Sequence, residues 1–322
     1  MRDLAVILVS WNTRDLILDA LRSLSADLAS SRLDAEIWVV DNASMDGSPD
    51  AIRAEFPMVK LLAQPDNLGF AGGNNLALRA LGFHDSPTPN PAGPRAVFLL
   101  NSDTRVEPGA VRILHDALFS LPHAGLVGAQ LAYEDGSFQH GAFRFPGLTQ
   151  IVIDLYPLPK RLLGRLYESR LNGRYPRAWS TRGDPFPVDF TLGATMLLRR
   201  EAIEATGLFD EQFFMYCEEI DWAARIRQAG WAVYTVPGSH ITHLAGRSTA
   251  QIRPQSLVNL WSSRYRLYRK HYAPPRFWIA RHLVRIGMTL QIRQMERTGN
   301  DTSSARIEAY RRIIALFTAG AS

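Results

Sequence analysis

Apolar and polar positions along the first hundred residues follow two alternating rhythms. Short continuous apolar runs at residues 4–10, 36–40 and 59–63 read as buried strands, and helical spacing at 14–28, 49–55 and from 74 to 81 reads as the helices between them. Alternation of this kind predicts an α/β fold, a mainly parallel central sheet covered by helices, whose carboxyl edge is where such sheets bind ligands. Residues 84–94, with four prolines, read as a surface loop. A fourth apolar run, 96–100, stops abruptly at Asn101-Ser102-Asp103; a helix at 108–121 and a strand at 125–131 follow. Residues 133–187 mix aromatic, Pro and Arg residues without a sustained period and read as irregular. Pattern returns with a strand at 193–199, a helix turn at 201–206, a helix at 220–228 and a strand at 232–236. From 255 onward the chain reads as helical, with breaks at Pro274-Pro275 and near 298–304.

Composition narrows the class. With 322 residues, 46% of them hydrophobic and 21% charged, the chain has the make-up of an ordinary globular protein with a large core. A single cysteine, Cys217, excludes an intramolecular disulfide framework and a zinc cluster of cysteines, and fits a reducing compartment. The apolar run at residues 4–9 is too short for a signal peptide, and no run approaches the length of a membrane span, so a cytoplasmic protein is expected, soluble or peripheral on the inner face of the cell membrane. Charge is uneven: residues 251–322 carry thirteen Lys or Arg against three Asp or Glu, while the preceding part is near −5. A basic appendage on a slightly acidic body suits an anionic surface; a solvated helix face explains it about equally well.

Six stretches carry candidate chemistry. Strand one ends in Ser10-Trp11-Asn12, without the spaced glycines of a dinucleotide site, and the chain has no G-x-x-x-x-G-K-[ST] phosphate loop; both observations disfavour the corresponding classes. Asp41, with Asn42 beside it, ends strand two; an acceptor there suits a pyrimidine N3–H or a ribose hydroxyl, or else it forms an Asx-turn leading into the next helix. Residues 67–75, with Asn67, Gly69, Phe70, Gly73 and Asn74, read as a Gly- and Asn-rich turn that allows close backbone approach and offers N–H donors. Asp103 at a strand tip is placed to hold a divalent cation or to cap the next turn. Glu218, Glu219 and Asp221 open a helix, where the dipole favours them and where a carboxylate among aromatic residues gains the raised pKa a general base needs. Past the last strand, His240 and His243 offer nitrogen ligands for Mn²⁺ or Mg²⁺, and Arg247 and Ser248 suit a diphosphate.

Taken in order, V-S-W-N, D-N-A-S-x-D-G-S, N-L-G-F-A-G-G-N-N, L-L-N-S-D-T and F-x-Y-C-E-E-I-D-W-x-x-R resemble family 2 of the inverting nucleotide-sugar glycosyltransferases, nearest to its rhamnosyltransferase branch, over roughly residues 4–250. The resemblance implies a GT-A fold over 1–250, with 133–187 as a variable insertion facing acceptor or membrane, and a basic helical region over 251–322. It implies that Ser10, Trp11, Asn12, Asp41, Asn42 and the 67–75 turn line the nucleotide, that Asn101 and Ser102 border it, and that Asp103 and His243 ligate the metal, His240 being the weaker choice. Asn101 stands where the family's D-x-D motif has its first acid. Glu219 falls at the catalytic base, one methylene longer than the family's usual Asp, with Glu218 as the alternative and Asp221 the third carboxylate of that turn. The implied activity is direct displacement from a nucleoside-diphosphate sugar, dTDP-rhamnose favoured, onto a glycan or lipid-linked acceptor in cell-surface polysaccharide synthesis.

Two other classes share much of this pattern. A sugar nucleotidyltransferase should carry a Gly-rich phosphate loop with Arg after strand one, which Ser10-Trp11-Asn12-Thr13 is not; a non-catalytic sugar-nucleotide or polysaccharide binding module would need no base. No nucleic-acid partner is expected. The aromatic and basic mixture of the tail, Trp261, Arg264, Tyr265, Tyr268, Trp278 and Arg281 among others, suits helices at an anionic membrane interface, or about equally a helical cap or an interface between copies of the chain.

Overall fold

The computed structural model describes residues 2–244, 253–298 and 303–319. Its first half begins with β1 (Leu4–Ser10), α1 (Arg14–Ser31), β2 (Ala35–Asp41), α2 (Ser48–Glu55), β3 (Lys60–Ala63), α3 (Gly69–Ala80) and β4 (Ala96–Leu100). There follow β5 (Thr104–Val106), α4 (Ala110–Ser120), β6 (Ala124–Ala132), β7 (Phe138–Gln139), β8 (Ala142–Phe143), α5 (Leu148–Leu155), α6 (Lys160–Tyr167) and α7 (Arg177–Thr181). The chain continues through β9 (Phe186–Val188), β10 (Phe190–Thr191), β11 (Thr195–Arg199), α8 (Arg200–Thr206), α9 (Glu218–Gln228), β12 (Ala232–His243), α10 (Arg253–His271), α11 (Pro274–Thr298) and α12 (Ser303–Ala319).

The described residues form two compact units. One gathers the N-terminal segment through Phe143, Arg177–Phe214 and the stretch from Glu218 through β12; the other gathers Arg144–Pro176, Met215–Cys217 and the C-terminal helices.

In the first unit the main sheet runs β3-β2-β1-β4-β11-β6-β12-β5. The pairs β1–β2, β2–β3 and β1–β4 are parallel, as strands alternating with helices predict. Leu4 to Leu8 are fully buried because helices cover both faces, which is why β1 reads as an unbroken apolar run. Leu4, Val6 and Leu8 share one core with Ile17, Leu21 and Leu24 of α1 and Val111, Leu114 and Leu118 of α4. At the start of α4, buried Asp27 accepts the Val111 N–H at 2.9 Å, satisfying a donor that the helix leaves open. Past β4, β11 enters antiparallel between β4 and β6, with Thr195 opposite Leu100. The parallel register sets Ser10 opposite Asp41, so the tips of β1 and β2 lie side by side.

Three sequence expectations change. The Gly- and Asn-rich stretch expected to be a turn over 67–75 is already helix from Gly69: Gly69 takes φ +74°, and its N–H is capped by Asn67 Oδ1 at 2.9 Å. Small residues let α3 lie close against the sheet, since a methyl group on Gly73 would fall 2.9 Å from Val9. Strand β12 does not end at 236; it shifts register between Val236 and His240 and runs on to His243. Residues 133–187, expected to be irregular, hold elements of two to eight residues, too short for a period to declare itself.

In the second unit, α10, α11, α12 and α5 enclose an aromatic core of Trp261, Tyr265, Tyr268, Tyr310 and Phe317 with Val284 and Met288. The Tyr265 and Phe317 rings meet edge-on with centroids 5.0 Å apart. Each such fully buried large side chain contributes roughly 1.5–3 kcal/mol. Arg281, buried, donates from Nε to the Phe317 carbonyl and from Nη2 to the Thr318 carbonyl, both at 2.8 Å, closing the end of α12. Trp261, Tyr265, Tyr268 and Arg281, expected at a membrane or subunit interface, are therefore interior residues of this unit, selected by packing.

Candidate active site

The residues expected to line a nucleotide are fixed by bonds between the loops that leave β1 and β2. Asn12 (φ +51°) receives its turn from Ser44, whose Oγ accepts the Asn12 N–H at 2.8 Å, while Asn12 Oδ1 accepts the Met45 N–H at 2.8 Å. The Asn42 N–H reaches the Ser10 carbonyl at 2.8 Å, and Ser10 Oγ lies 3.0 Å from Thr13 Oγ1. Trp11 is half-buried in the same loop. Within this frame Asp41, 1% exposed, accepts the Ser44 N–H through Oδ1 at 2.9 Å, and its buried Oδ2 has no hydrogen-bond partner. A buried acceptor left open costs free energy until a donor arrives, and a base N–H or sugar hydroxyl is such a donor. The Asx-turn and the acceptor expected at Asp41 thus coexist on different oxygens.

Asn42 carries the frame onward. Its Nδ2 donates to the Gly69 carbonyl at 2.9 Å, and the next N–H of α3, on Phe70, donates to the Phe214 carbonyl at 3.0 Å. Asn75 holds the same loop from the other side, accepting the Phe209 N–H at 3.1 Å and donating to the Phe209 carbonyl at 2.9 Å. Asn74 instead turns back on its own helix, to the Phe70 carbonyl. The Gly-rich segment therefore positions the approach to α9 as well as offering N–H groups; the sequence signal for Asn75 and Phe214 was present in the motif, without a partner to give it meaning.

At the tip of β4, the Asn101 N–H donates to the Ala194 carbonyl at 3.0 Å, and Ser102 and Asp103 are buried. Strand β12 pairs with β5 so that His243 faces Thr104, which brings His243 Nε2 to 3.4 Å from Asp103 Oδ1. The other ring nitrogen lies 3.3 Å from Gln139 Oε1 on β7. Buried and facing each other, a carboxylate oxygen and an imidazole nitrogen make a donor pair of the kind that suits Mn²⁺ or Mg²⁺. Among the described residues no group of three His, Cys, Asp or Glu is placed to hold a metal ion. His240 is exposed on the same strand. Gln139 lay in the stretch without periodicity, so nothing in the sequence distinguished it.

The acidic helix α9 follows Tyr216 and Cys217, both at positive φ (+70° and +68°), a backbone conformation that non-glycine residues adopt at a cost and that is common at functional sites. Glu218 and Glu219 are buried, at 5% and 9% exposure. Burial first, and the negative charge of Glu219 second, hold the Glu218 carboxyl well above the usual carboxylate range. A methyl group on Gly193 would lie 3.7 Å from the Phe70 ring and 3.8 Å from Glu219 Cβ, so Glu219 sits beside the segment that bonds Asn101. Asp221, grouped with the catalytic carboxylates on sequence grounds, points elsewhere. Fully buried, it pairs with Arg225 Nε at 3.0 Å, and that guanidinium also donates to the Thr206 and Leu208 carbonyls. A carboxylate held this way braces the turn after α8. Arg247 and Ser248 lie outside the described residues.

Against known proteins, the sequence profile of Glycosyl transferase family 2 matches residues 5–206. The chain is 31% identical over 256 residues to the N-acetylglucosaminyl-diphospho-decaprenol L-rhamnosyltransferase of Mycobacterium tuberculosis, covering 77% of this chain and 78% of the relative. The structure is similar to the mannosyltransferase PcManGT from Pyrobaculum calidifontis in complex with GDP-Man and Mn²⁺, with a TM-score of 0.56, 17% identity, and coverage of 98% of this chain and 84% of that one. It is also similar to GalNAc-T7 crystallised with UDP, GalNAc and Mn²⁺, with a TM-score of 0.52, 16% identity, and coverage of 76% of this chain and 44% of that one. With the family profile spanning most of the chain and a relative above 30% identity, this protein belongs to glycosyl transferase family 2 and is a hexosyltransferase of the GT-A fold.

Proposed function

We propose that the enzyme moves rhamnose, with inversion, from dTDP-rhamnose to a glycan or lipid-linked acceptor in cell-surface polysaccharide synthesis, using Mg²⁺ or Mn²⁺. The observation that carries this reading is the arrangement beyond the strand ends: an open buried acceptor on Asp41, the Asp103–His243 pair, and Glu219 beside Gly193 and Phe70. The Mycobacterium tuberculosis relative, named for rhamnosyl transfer to a diphospho-decaprenol-linked sugar, supports the donor sugar and the acceptor class. The Mn²⁺ and GDP-Man of PcManGT support a metal and a nucleotide sugar.

In this reading Asp41 Oδ2 accepts the N3–H of the pyrimidine, and the Asn42–Gly69 bond keeps α3 against it. Asp103 and His243 hold the metal, which when bound neutralises charge on the departing diphosphate. Glu219 takes the proton from the acceptor hydroxyl as that oxygen bonds to C1 on the face opposite the leaving group. The C1–O bond to the diphosphate breaks in the same displacement, its electron pair leaving with the nucleotide, so the anomeric centre inverts. Glu218, keeping its proton, leaves the local negative charge on Glu219, where a base needs it. The test is nucleoside-diphosphate release from a panel of nucleotide sugars with a polyprenyl-diphosphate-sugar acceptor, with and without Mn²⁺ or Mg²⁺. Metal-dependent release highest with dTDP-rhamnose is expected; release from no donor would overturn the reading.

A further inference from the structure

Helix α11 of the second unit carries apolar side chains on more than one side. Helix α11 buries Ala280, Val284, Met288 and Ile292 at i, i+4 spacing in the aromatic core. Its opposite side should then be polar, yet Trp278 is 60% exposed, Ile279 41%, Ile286 52% and Leu290 36%. At 100° per residue these four fall within a 120° sector of the helix, and Arg293 lies within that sector while Arg285 borders it. The only acidic residue of α11, Glu296, stands 3.6 Å from Arg311. The helix is thus apolar on two sides, and its outward apolar stripe is rimmed by arginine.

We propose that this side of α11 docks on an anionic lipid bilayer. A helix that presents Trp, Ile and Leu with arginines at their edge matches the acyl boundary and the phosphate layer of such a surface, the arginine stems lying along the lipid while their heads reach phosphate. A second copy of the chain is a poorer match: a twofold contact centred on the stripe would pair two antiparallel α11 helices and bring Arg285 of one copy toward Arg293 of the other, cation against cation. No helix of the described residues is long and apolar enough to cross a membrane, so the contact lies in the interface plane. In the same unit α6 adds Leu162 and Tyr167, 45% and 51% exposed, next to Arg161 and Arg165.

The test uses the full chain without donor or acceptor, so its result stands apart from that of the transfer assay. Co-sedimentation is measured with vesicles of phosphatidylcholine alone and of phosphatidylcholine with phosphatidylglycerol, at low and high salt. Retention on the anionic vesicles only, fading with salt, is expected. Ile286→Glu with Leu290→Glu should cut retention at least tenfold, and each of Arg285→Gln and Arg293→Gln about fivefold. Circular dichroism and the melting transition, unchanged in these surface variants, show that the helices still fold; a variant that melts early is replaced by Ile286→Ser with Leu290→Ser. Absence of retention, equal retention on both vesicle types, or a dimer in sedimentation velocity that the Glu variants dissolve while vesicles retain nothing would each overturn the proposal.

Discussion

Replacing Glu219 and Glu218 one at a time by glutamine separates the base from its neighbour. The two carboxyls are adjacent and buried, and burial with the charge of Glu219 keeps Glu218 protonated well above the usual carboxylate range. Glutamine is close in shape to a protonated glutamate, so Glu218→Gln removes little at neutral pH, and kcat should stay within about threefold of wild type. Glu219→Gln removes the group that accepts the proton; loss of a general base costs roughly 10²- to 10⁴-fold, or about 2.7–5.5 kcal/mol of barrier. Initial rates of nucleoside-diphosphate release at saturating donor, with nucleotide binding followed by calorimetry, read the two effects apart: Glu219→Gln should bind donor normally and turn it over slowly. The pH dependence of stability supplies a second readout. A carboxyl whose folded pKa is raised favours the folded state fully below its unfolded value, near 4.5, and that contribution is lost as pH rises toward the folded pKa. Glu218→Gln lacks this loss, so its stability relative to wild type should be higher at pH 8 than at pH 4.5 in urea titrations. Near-wild-type turnover in Glu219→Gln, or a hundredfold loss in Glu218→Gln, would refute the assignment.

Three further changes probe the supports of the site. Gln139→Leu removes the acceptor beside His243 Nδ1 and should weaken Mn²⁺ binding about tenfold in a paramagnetic-resonance titration; unchanged affinity would deny Gln139 that role. Gly69→Ala puts a side chain at φ +74° and a Cβ 2.3 Å from the Phe214 carbonyl oxygen, so a loss of roughly 2–4 kcal/mol is expected in urea unfolding, and less than about 1 kcal/mol would contradict the close approach. Arg225→Met removes the guanidinium paired with the fully buried Asp221 and should cost roughly 3–5 kcal/mol, with part of the loss recovered in Arg225→Met combined with Asp221→Leu.

The two carboxylates proposed for the metal and the proton were legible because strand tips and helix starts leave local signatures: an apolar run that ends in Asn-Ser-Asp, three acids at the head of a helix. The partners of those carboxylates were not. Gln139 meets His243 across 104 residues, and Asn75 meets Phe209 across 134, separations at which no spacing rule operates. Asp221 shows the converse: it read as part of the acidic cluster at the head of α9, and the structure pairs it, buried, with Arg225 one turn further on.

The alternation of strands and helices over the first hundred residues, the buried parallel half of the sheet, the chemical types at the strand tips and the basic tail were decided by the sequence alone, because periodicity and turn residues act within a few positions. Only the tertiary structure decided that β11 enters antiparallel between β4 and β6, that β12 runs on to bring His243 beside Asp103, and that Trp261, Tyr265 and Tyr268 lie inside while Trp278, Ile286 and Leu290 lie outside. Those outcomes depend on which surfaces pack together, and both faces of α11 are apolar, so composition could not tell the buried side from the exposed one.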